Sequence, residues 1–164
     1  MTATERIQGM LTHRPVKEIG ACGWLHTIGA DRGTAREFSS AVIELRDFSR
    51  WDFIKMMPNG VYNQEAYGSD IEYFSGALSP EDLREKRVFR FRSYLLQSPR
   101  DFEAFPVLDV SKNAVYQREV AAIRALNDHY QGTVPIVPTI FLPAHCIPEF
   151  CGGIPKARYY MEHC

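Results

Sequence analysis

Three short segments of the sequence carry the side chains that could do chemistry, and the last of them holds the densest group. Residues 143–149 contain an imidazole, a thiol and a carboxylate close together in the sequence, at His145, Cys146 and Glu149. Imidazole and thiolate ligate metals or contact cofactors, although adjacent residues on one backbone seldom both face the same site, and a buried cysteine is usually inert packing. We therefore take His145 as a candidate catalytic residue and assign no metal ligand.

The other two segments are residues 20–26 and 58–62. The first is glycine-rich and carries Trp24 and His26 as candidates for ligand binding, although a lone tryptophan more often packs than binds. The second holds Asn59, a candidate catalytic residue, and Tyr62, a candidate for substrate binding. Because Asn59 precedes Gly60 and Asn-Gly is a common turn pair, a purely structural turn is the alternative to a functional asparagine.

The composition is that of a folded and nearly neutral protein. The 164 residues are 45% hydrophobic, enough for a core in one domain, and 19 basic against 20 acidic residues give a net charge of −1. Since no Lys/Arg cluster could neutralise phosphates, we expect no nucleic-acid partner. The sequence has no apolar run of about 18 residues and a polar N-terminus, so we expect no membrane association and a cytoplasmic location. The four cysteines have no zinc-ribbon spacing, which predicts reduced thiols.

One helix and the strand after it organise residues 105–153. Following Asn113, a predicted N-cap, apolar side chains recur at helical spacing from Tyr116 to Tyr130, and charged residues such as Glu119 take the other face. Gly132 is predicted to end the helix. Residues 133–141 are then apolar on both alternating sets and rich in β-branched residues, the pattern of a parallel strand covered on both faces.

The segments before residue 105 give further elements. We predict a lead-in helix over residues 2–11, with Ile7, Met10 and Leu11 facing inward, a strand over residues 16–22, and a second strand over residues 51–57. Thr34 and Glu37 form a capping box ahead of a helix whose apolar stripe runs to Phe48.

Residues 61–97 depart from this alternation of helix and strand. Residues 71–74 and 88–91 are predicted excursion strands, and helices are predicted to start at residues 79–82 and 98–101. The predicted core of the chain consists of apolar residues from the stripes and strands: Phe38, Val42, Leu45, Phe53, Val120, Ile123, Ile136 and Ile140.

Several of these stretches resemble the uroporphyrinogen decarboxylase superfamily. They are AIRALNDHYQG, VPIVPTIFLP and a short helix closing on GG, together with HRPVKEIG, WDFIKMMPNGVYNQEAYG and SPRDFEAFPVLD. The resemblance covers nearly the whole chain but about the first half of a family member. It implies an α/β fold that is a partial (β/α)8 TIM barrel: its N-terminal half, with a lead-in helix and an excursion between barrel strands, as one truncated domain over residues 1–164.

The resemblance also implies roles for the candidate residues. In a (β/α) barrel the site lies at the C-terminal ends of the strands, so His26, Asn59 and His145 are expected in a shared pocket, with Trp24 and Tyr62 binding substrate nearby. Family decarboxylases carry an aspartate, which meets the pyrrole N–H groups, at the position of Asn59. They carry an arginine-rich loop at residues 19–26. A substrate-contacting tyrosine stands at the position of Glu149, which we therefore take as a substrate-binding candidate.

These departures speak against decarboxylation of uroporphyrinogen and favour a methyltransferase-like member of the superfamily. Two alternatives stay open: a decarboxylase, hence a lyase, of tetrapyrrole biosynthesis, and an inactive, truncated binding or assembly module. In the methyltransferase branch the zinc ligands belong to the second half of the barrel, so the cofactor is unknown and zinc is expected only through residues outside this chain. The expected partner is a small-molecule substrate or a corrinoid protein. As half a barrel, the chain is expected to be inactive alone and to self-associate through its unpaired strand edges.

Overall fold

A computed structural model describes residues 1–74, 80–81 and 88–164 of this mixed α/β protein. In chain order its elements are α1 (Ala3–Leu11), a short 3-10 helix (Ala30–Arg32), α2 (Ala35–Ser49), β1 (Ile54–Met56), α3 (Tyr62–Ala66), β2 (Ile71–Tyr73), β3 (Phe89–Phe91), α4 (Arg100–Glu103), α5 (Ala114–Tyr130), β4 (Ile136–Pro138), α6 (Pro143–Cys151) and α7 (Ile154–Glu162).

The contacts divide the chain into two compact units, each made of two stretches. Unit 1 consists of Met1–Gly60 and Val110–Ile140, and unit 2 of Val61–Asp109 and Phe141–Cys164. The prediction of a single domain over residues 1–164 stays a prediction.

Side-chain caps start the long helices of unit 1. Thr34 accepts a hydrogen bond from the backbone N–H of Glu37 while the Glu37 carboxylate accepts one from the N–H of Thr34, so the predicted capping box ahead of α2 is confirmed. Thr2 and Glu5 form the same box ahead of α1. Asn113 caps α5 as predicted, and that helix ends with Gln131 and Gly132 at positive φ.

The core of unit 1 lies between α2, α5 and a parallel strand pair. Strands β1 and β4 pair in parallel, with Ile54 opposite Ile136 and Met56 opposite Pro138. The parallel pairing predicted for the stretch that contains β4 is therefore confirmed, but its covering on both faces is wrong, because Val137 is 47% exposed. The buried cluster consists of Phe38, Val42, Ile54, Met56, Ala122, Leu126, Tyr130 and Val134, with Ile123 and Ile136 partly buried against it.

Unit 2 is built from short elements and aromatic rings. Strands β2 and β3 pair antiparallel, with Ile71 opposite Phe91, which confirms the two excursion strands. Helix α4 follows Pro99 at the predicted start signal, and its Asp101 carboxylate accepts hydrogen bonds from the N–H groups of Gln97 and Ser98. The buried cluster consists of Leu96, Cys146, Phe150, Cys151, Ala157 and Tyr160.

The predicted first strand is wrong, and the other predicted strands are shorter than expected. Residues 16–22 form no strand; the carbonyl of Ala21 accepts a hydrogen bond from the N–H of Asp52, while Lys17, Glu18 and the 80% exposed Ile19 give the segment no apolar face to bury. The strands predicted over residues 51–57 and 133–141 are reduced to Ile54–Met56 and Ile136–Pro138. The helix start predicted at residues 79–82 falls mainly on positions outside the described residues.

Burial confirms part of the predicted core and corrects the rest. Phe38 and Val42 are buried, and Leu45, Phe53 and Val120 are partly buried. Ile140 is 76% exposed, because it lies beyond the paired residues of β4. Phe48, Met10 and Leu11 are also exposed, since each falls in the last turn of its helix. Glu119, predicted to face outward, is buried next to Arg118.

Candidate functional site

Helix α6 carries the three chemical groups of the densest segment. It starts with Pro143 in its first turn and ends at Gly152, whose φ of 85° lies in the left-handed region. The predicted short helix closing on Gly-Gly is therefore confirmed. Helical geometry places His145 and Glu149 one turn apart on one face, and the His145 Nε2 lies 3.9 Å from the Glu149 Oε1.

Glu149 lies between a buried amide and this imidazole. Gln64 of α3, which is 1% exposed, donates a hydrogen bond from its Nε2 to the Glu149 Oε2 at 2.6 Å. Burial raises the pKa of the Glu149 carboxyl, and the nearby His145 offsets part of this rise. A carboxyl group with a raised pKa beside an imidazole can accept a proton and exchange it with its neighbour.

Cys146 faces the interior of the same helix. Its thiol is in the buried cluster of unit 2 and accepts a hydrogen bond from the Asn63 Nδ2 at 3.2 Å. Burial raises the pKa of this thiol, the hydrogen bond from Asn63 lowers it, and the charge of Glu149 raises it further. The protonated, buried thiol is therefore suited to packing rather than to nucleophilic attack.

The ring of Phe141 lies next to His145, and the ring of Tyr62 packs against Phe141. The ring centroid of Phe141 lies 4.8 Å from that of His145 and 5.7 Å from that of Tyr62. Tyr62, predicted to bind substrate, is buried, whereas 55% of the His145 side chain is exposed. The imidazole is consequently the solvent-facing member of a group whose other members are apolar or held by hydrogen bonds.

The remaining candidates belong to unit 1. The indole of Trp24 is 64% exposed, and the Lys55 Nζ lies over its ring at 3.6 Å. His26 has its Nδ1 3.8 Å from the Oδ2 of Asp31, a buried carboxylate that accepts a hydrogen bond from the N–H of Gly29. Asn59 is buried, at 4% exposure.

Four of the residues singled out from the sequence thus lie in one cluster of unit 2: Tyr62, His145, Cys146 and Glu149. The pocket predicted to contain His26, Asn59 and His145 stays a prediction. Sequence reasoning missed Gln64 and Asn63, since both stand on a five-residue helix too short to show a periodicity. In the part of the chain that the structure describes, no three side chains of His, Cys, Asp or Glu converge as metal ligands would. Nor is any helix among the described residues long and apolar enough to cross a membrane.

Comparison with known proteins gives one informative similarity. No family model matches the sequence, and no curated protein matches it. Among solved structures, the chain is similar to a methyltransferase from Methanosarcina mazei, with a TM-score of 0.70 and 16% sequence identity. The similarity covers 92% of this chain and 45% of the methyltransferase chain, so this chain spans about half the length of that protein. Over nearly its whole described length, the chain therefore has the mixed α/β fold of part of a methyltransferase.

Proposed function

We propose that this protein is a methyltransferase-like member of the uroporphyrinogen decarboxylase superfamily and corresponds to the N-terminal half of its (β/α) barrel. The observation that carries the proposal is the similarity of 92% of the chain to a methyltransferase, at a TM-score of 0.70. The parallel pairing of β1 with β4, joined through the intervening helix α5, is the arrangement that a (β/α) barrel requires.

Side-chain chemistry favours methyl transfer over decarboxylation of a polycarboxylate. Residues 19–26 contain no arginine, and arginine is the residue best suited to bind several carboxylates in bidentate fashion. Asn59 offers an amide, which cannot neutralise a protonated pyrrole as a carboxylate would. The cluster around His145 and Glu149 supplies a proton acceptor, as transfer of a methyl group to a thiol needs.

The proposal extends to the substrate, the cellular location, the source of any zinc and the self-association of the protein. The substrate is a small molecule or the methylated cofactor of a corrinoid protein, and the protein acts in the cytoplasm. Zinc, if required, comes from residues outside this chain. Self-association through unpaired strand edges belongs to the same proposal.

Two assays run side by side test it. The longest native form is incubated with methylcobalamin and a small thiol while the loss of the methyl–cobalt absorbance is followed, and separately with uroporphyrinogen while products are separated by chromatography. We expect methyl transfer and no decarboxylation. Decarboxylation at the rate of an ordinary family decarboxylase would overturn the proposal, and activity in neither assay would favour an inactive binding module.

A further inference from the structure

Gln64 is a buried polar residue next to the proposed proton acceptor, Glu149. Its side chain is 1% exposed, and an amide so far from water is costly unless its hydrogen bonds are made. The Nε2 meets the Glu149 Oε2 at 2.6 Å and the backbone carbonyl oxygen of Cys146 at 3.5 Å. Because the shorter of these contacts is to a carboxylate, moving the amide would leave both partners poorly satisfied. The orientation of Glu149 is thus fixed from the interior side.

The hydrogen bond to Oε2 leaves the other carboxylate oxygen for His145. Oε1 lies 3.9 Å from the His145 Nε2, a distance that a small rotation of either side chain closes to a hydrogen bond. Gln64, Glu149 and His145 thus form a row of three neighbouring side chains. Their exposure increases along the row, from 1% for Gln64 through 29% for Glu149 to 55% for His145. The row therefore leads from the interior of unit 2 to solvent.

Near Glu149, the titratable groups whose contacts the structure describes meet other partners as well. On α6 the neighbouring titratable group is the thiol of Cys146, which is engaged by the amide of Asn63. On α7 the ammonium of Lys156 lies over the ring of Tyr94. From α3 the group that reaches the carboxylate is the neutral amide of Gln64, which holds it without titrating.

We propose that Gln64 is a positioning residue that holds Glu149 against His145, so that the two side chains take a proton from a bound thiol and pass it to solvent. In this step the S–H bond of the thiol breaks, its electron pair stays on sulfur as a thiolate, and the proton goes to Glu149 Oε1. The proton then moves to the His145 imidazole and from there to water. No atom changes its oxidation state. The choice of a thiol rests on the proposed methyl transfer, whereas the coupling of the three side chains does not.

The test measures protonation of the whole 164-residue chain without any substrate. Carbon-13 NMR of the Glu149 carboxyl and proton NMR of the His145 ring are followed against pH in the wild type, in Gln64→Met, which keeps the length but removes the donor, and in Gln97→Met as a matched control. Gln97 also lies in unit 2 but is exposed, and its Nε2 contacts the carbonyl of Tyr94.

We expect the His145 signals of the wild type to show a step at the midpoint of the Glu149 titration, as coupled groups do. Gln64→Met should raise the Glu149 midpoint by about one pH unit and shrink that step, because the carboxylate loses a hydrogen bond to its charged form. Gln97→Met should leave both unchanged. Titrations of Glu149 and His145 that are independent in the wild type, or unaltered in Gln64→Met, would overturn the inference.

Should Gln64→Met fail to fold, Glu149→Gln gives the same answer from the other side. In this variant the His145 signals should lose the step at the Glu149 midpoint. The side-chain amide signals of Gln64, which should show the same step in the wild type, should lose it too. Their persistence would overturn the inference. These readouts need no methyl donor. If Glu149 and His145 were coupled but the protein transferred no methyl group, the proposed function would be wrong and the inference would still hold.

Discussion

The two units of the chain are built on different principles. Unit 1 takes its core from two long helices, of 15 and 17 residues, and a parallel strand pair, and its helices begin with side-chain caps. Unit 2 takes its core from short helices and rings, and neither α6 nor α7 has a side-chain cap. Regular packing stabilises the first, while a few specific contacts, among them the one between Gln64 and Glu149, position side chains in the second. The groups proposed to transfer a proton, Glu149 and His145, lie in this second, less regular unit.

The largest expected effect tests the regular packing of unit 1. Phe38 and Phe48 stand on the same helix, but the former is fully buried and the latter 88% exposed. Phe38→Ala should lower the free energy of unfolding by about 3–5 kcal/mol because it opens a cavity in the core. Phe48→Ala should change it by less than about 0.5 kcal/mol. Urea denaturation measures both, and equal losses would mean that α2 packs through another face.

The next effect concerns the end of α6 in unit 2. Gly152 has a φ of +85°, and a Cβ built on it would stand 2.8 Å from the ring of Tyr94, whereas Gly68 has a φ of +81° and no atom within 4 Å. Gly68→Ala should cost about 1 kcal/mol from backbone strain alone. Gly152→Ala should cost about 2–3 kcal/mol, because the ring must also move. If thermal unfolding gave equal costs, specific contacts would not control this helix end.

A smaller effect on stability is expected at the N-cap positions of two helices, one in each unit. Thr34→Ala removes the cap of α2 and should cost about 1 kcal/mol. Leu142 holds the corresponding position of α6, where no side chain makes a capping hydrogen bond. Leu142→Ala should therefore cost clearly less in the same urea titration. A loss as large as that of Thr34→Ala would contradict the distinction between capped and uncapped helices.

A further effect is a pH dependence of stability in unit 1. Burial, together with the charge of Asp47 and the hydrogen bond to it, raises the pKa of Tyr130 to about 12. Since the folded value lies above the unfolded one of about 10, this group contributes stability that is complete below about pH 10 and is lost as the pH rises through about 12.

An alkaline ultraviolet titration should therefore show Tyr130 ionising later than a free tyrosine. Tyr130→Phe should remove that late step, and a step that persists in this variant would show that another tyrosine causes it.

The same contrast explains how much of the fold could be predicted. Periodicity and local chemistry, which act within a few residues, predict several features. These are the caps at Thr34 and Asn113, the apolar stripes that contain Phe38 on α2 and Leu126 on α5, and the parallel strand β4. These signals weaken at the ends of elements: the predicted core wrongly includes Ile140, and the predicted apolar stripe of α2 wrongly extends to Phe48. They fail for residues 16–22, because a strand with mixed polarity forms only if a neighbour pairs with it.

The candidate site could be predicted in part only. The sequence led to His145 and Glu149, and their spacing of four residues on a helix accounts for their proximity. It could not lead to Gln64, whose partner Glu149 is 85 residues away along the chain. Nothing local to a five-residue helix indicates which of its side chains will be buried, so such a contact follows from tertiary packing alone.

A ligand-binding titration of the 164-residue chain, followed by visible absorbance, tests the methyltransferase-like assignment most directly. The protein is titrated with methylcobalamin and, separately, with a uroporphyrin, and metal content is measured on the same sample. We expect a saturable change in the cobalamin spectrum and none in the porphyrin spectrum, because residues 19–26 offer no arginine to bind the carboxylates. Saturable binding of the porphyrin, with the cobalamin spectrum unchanged, would show that the assignment is wrong.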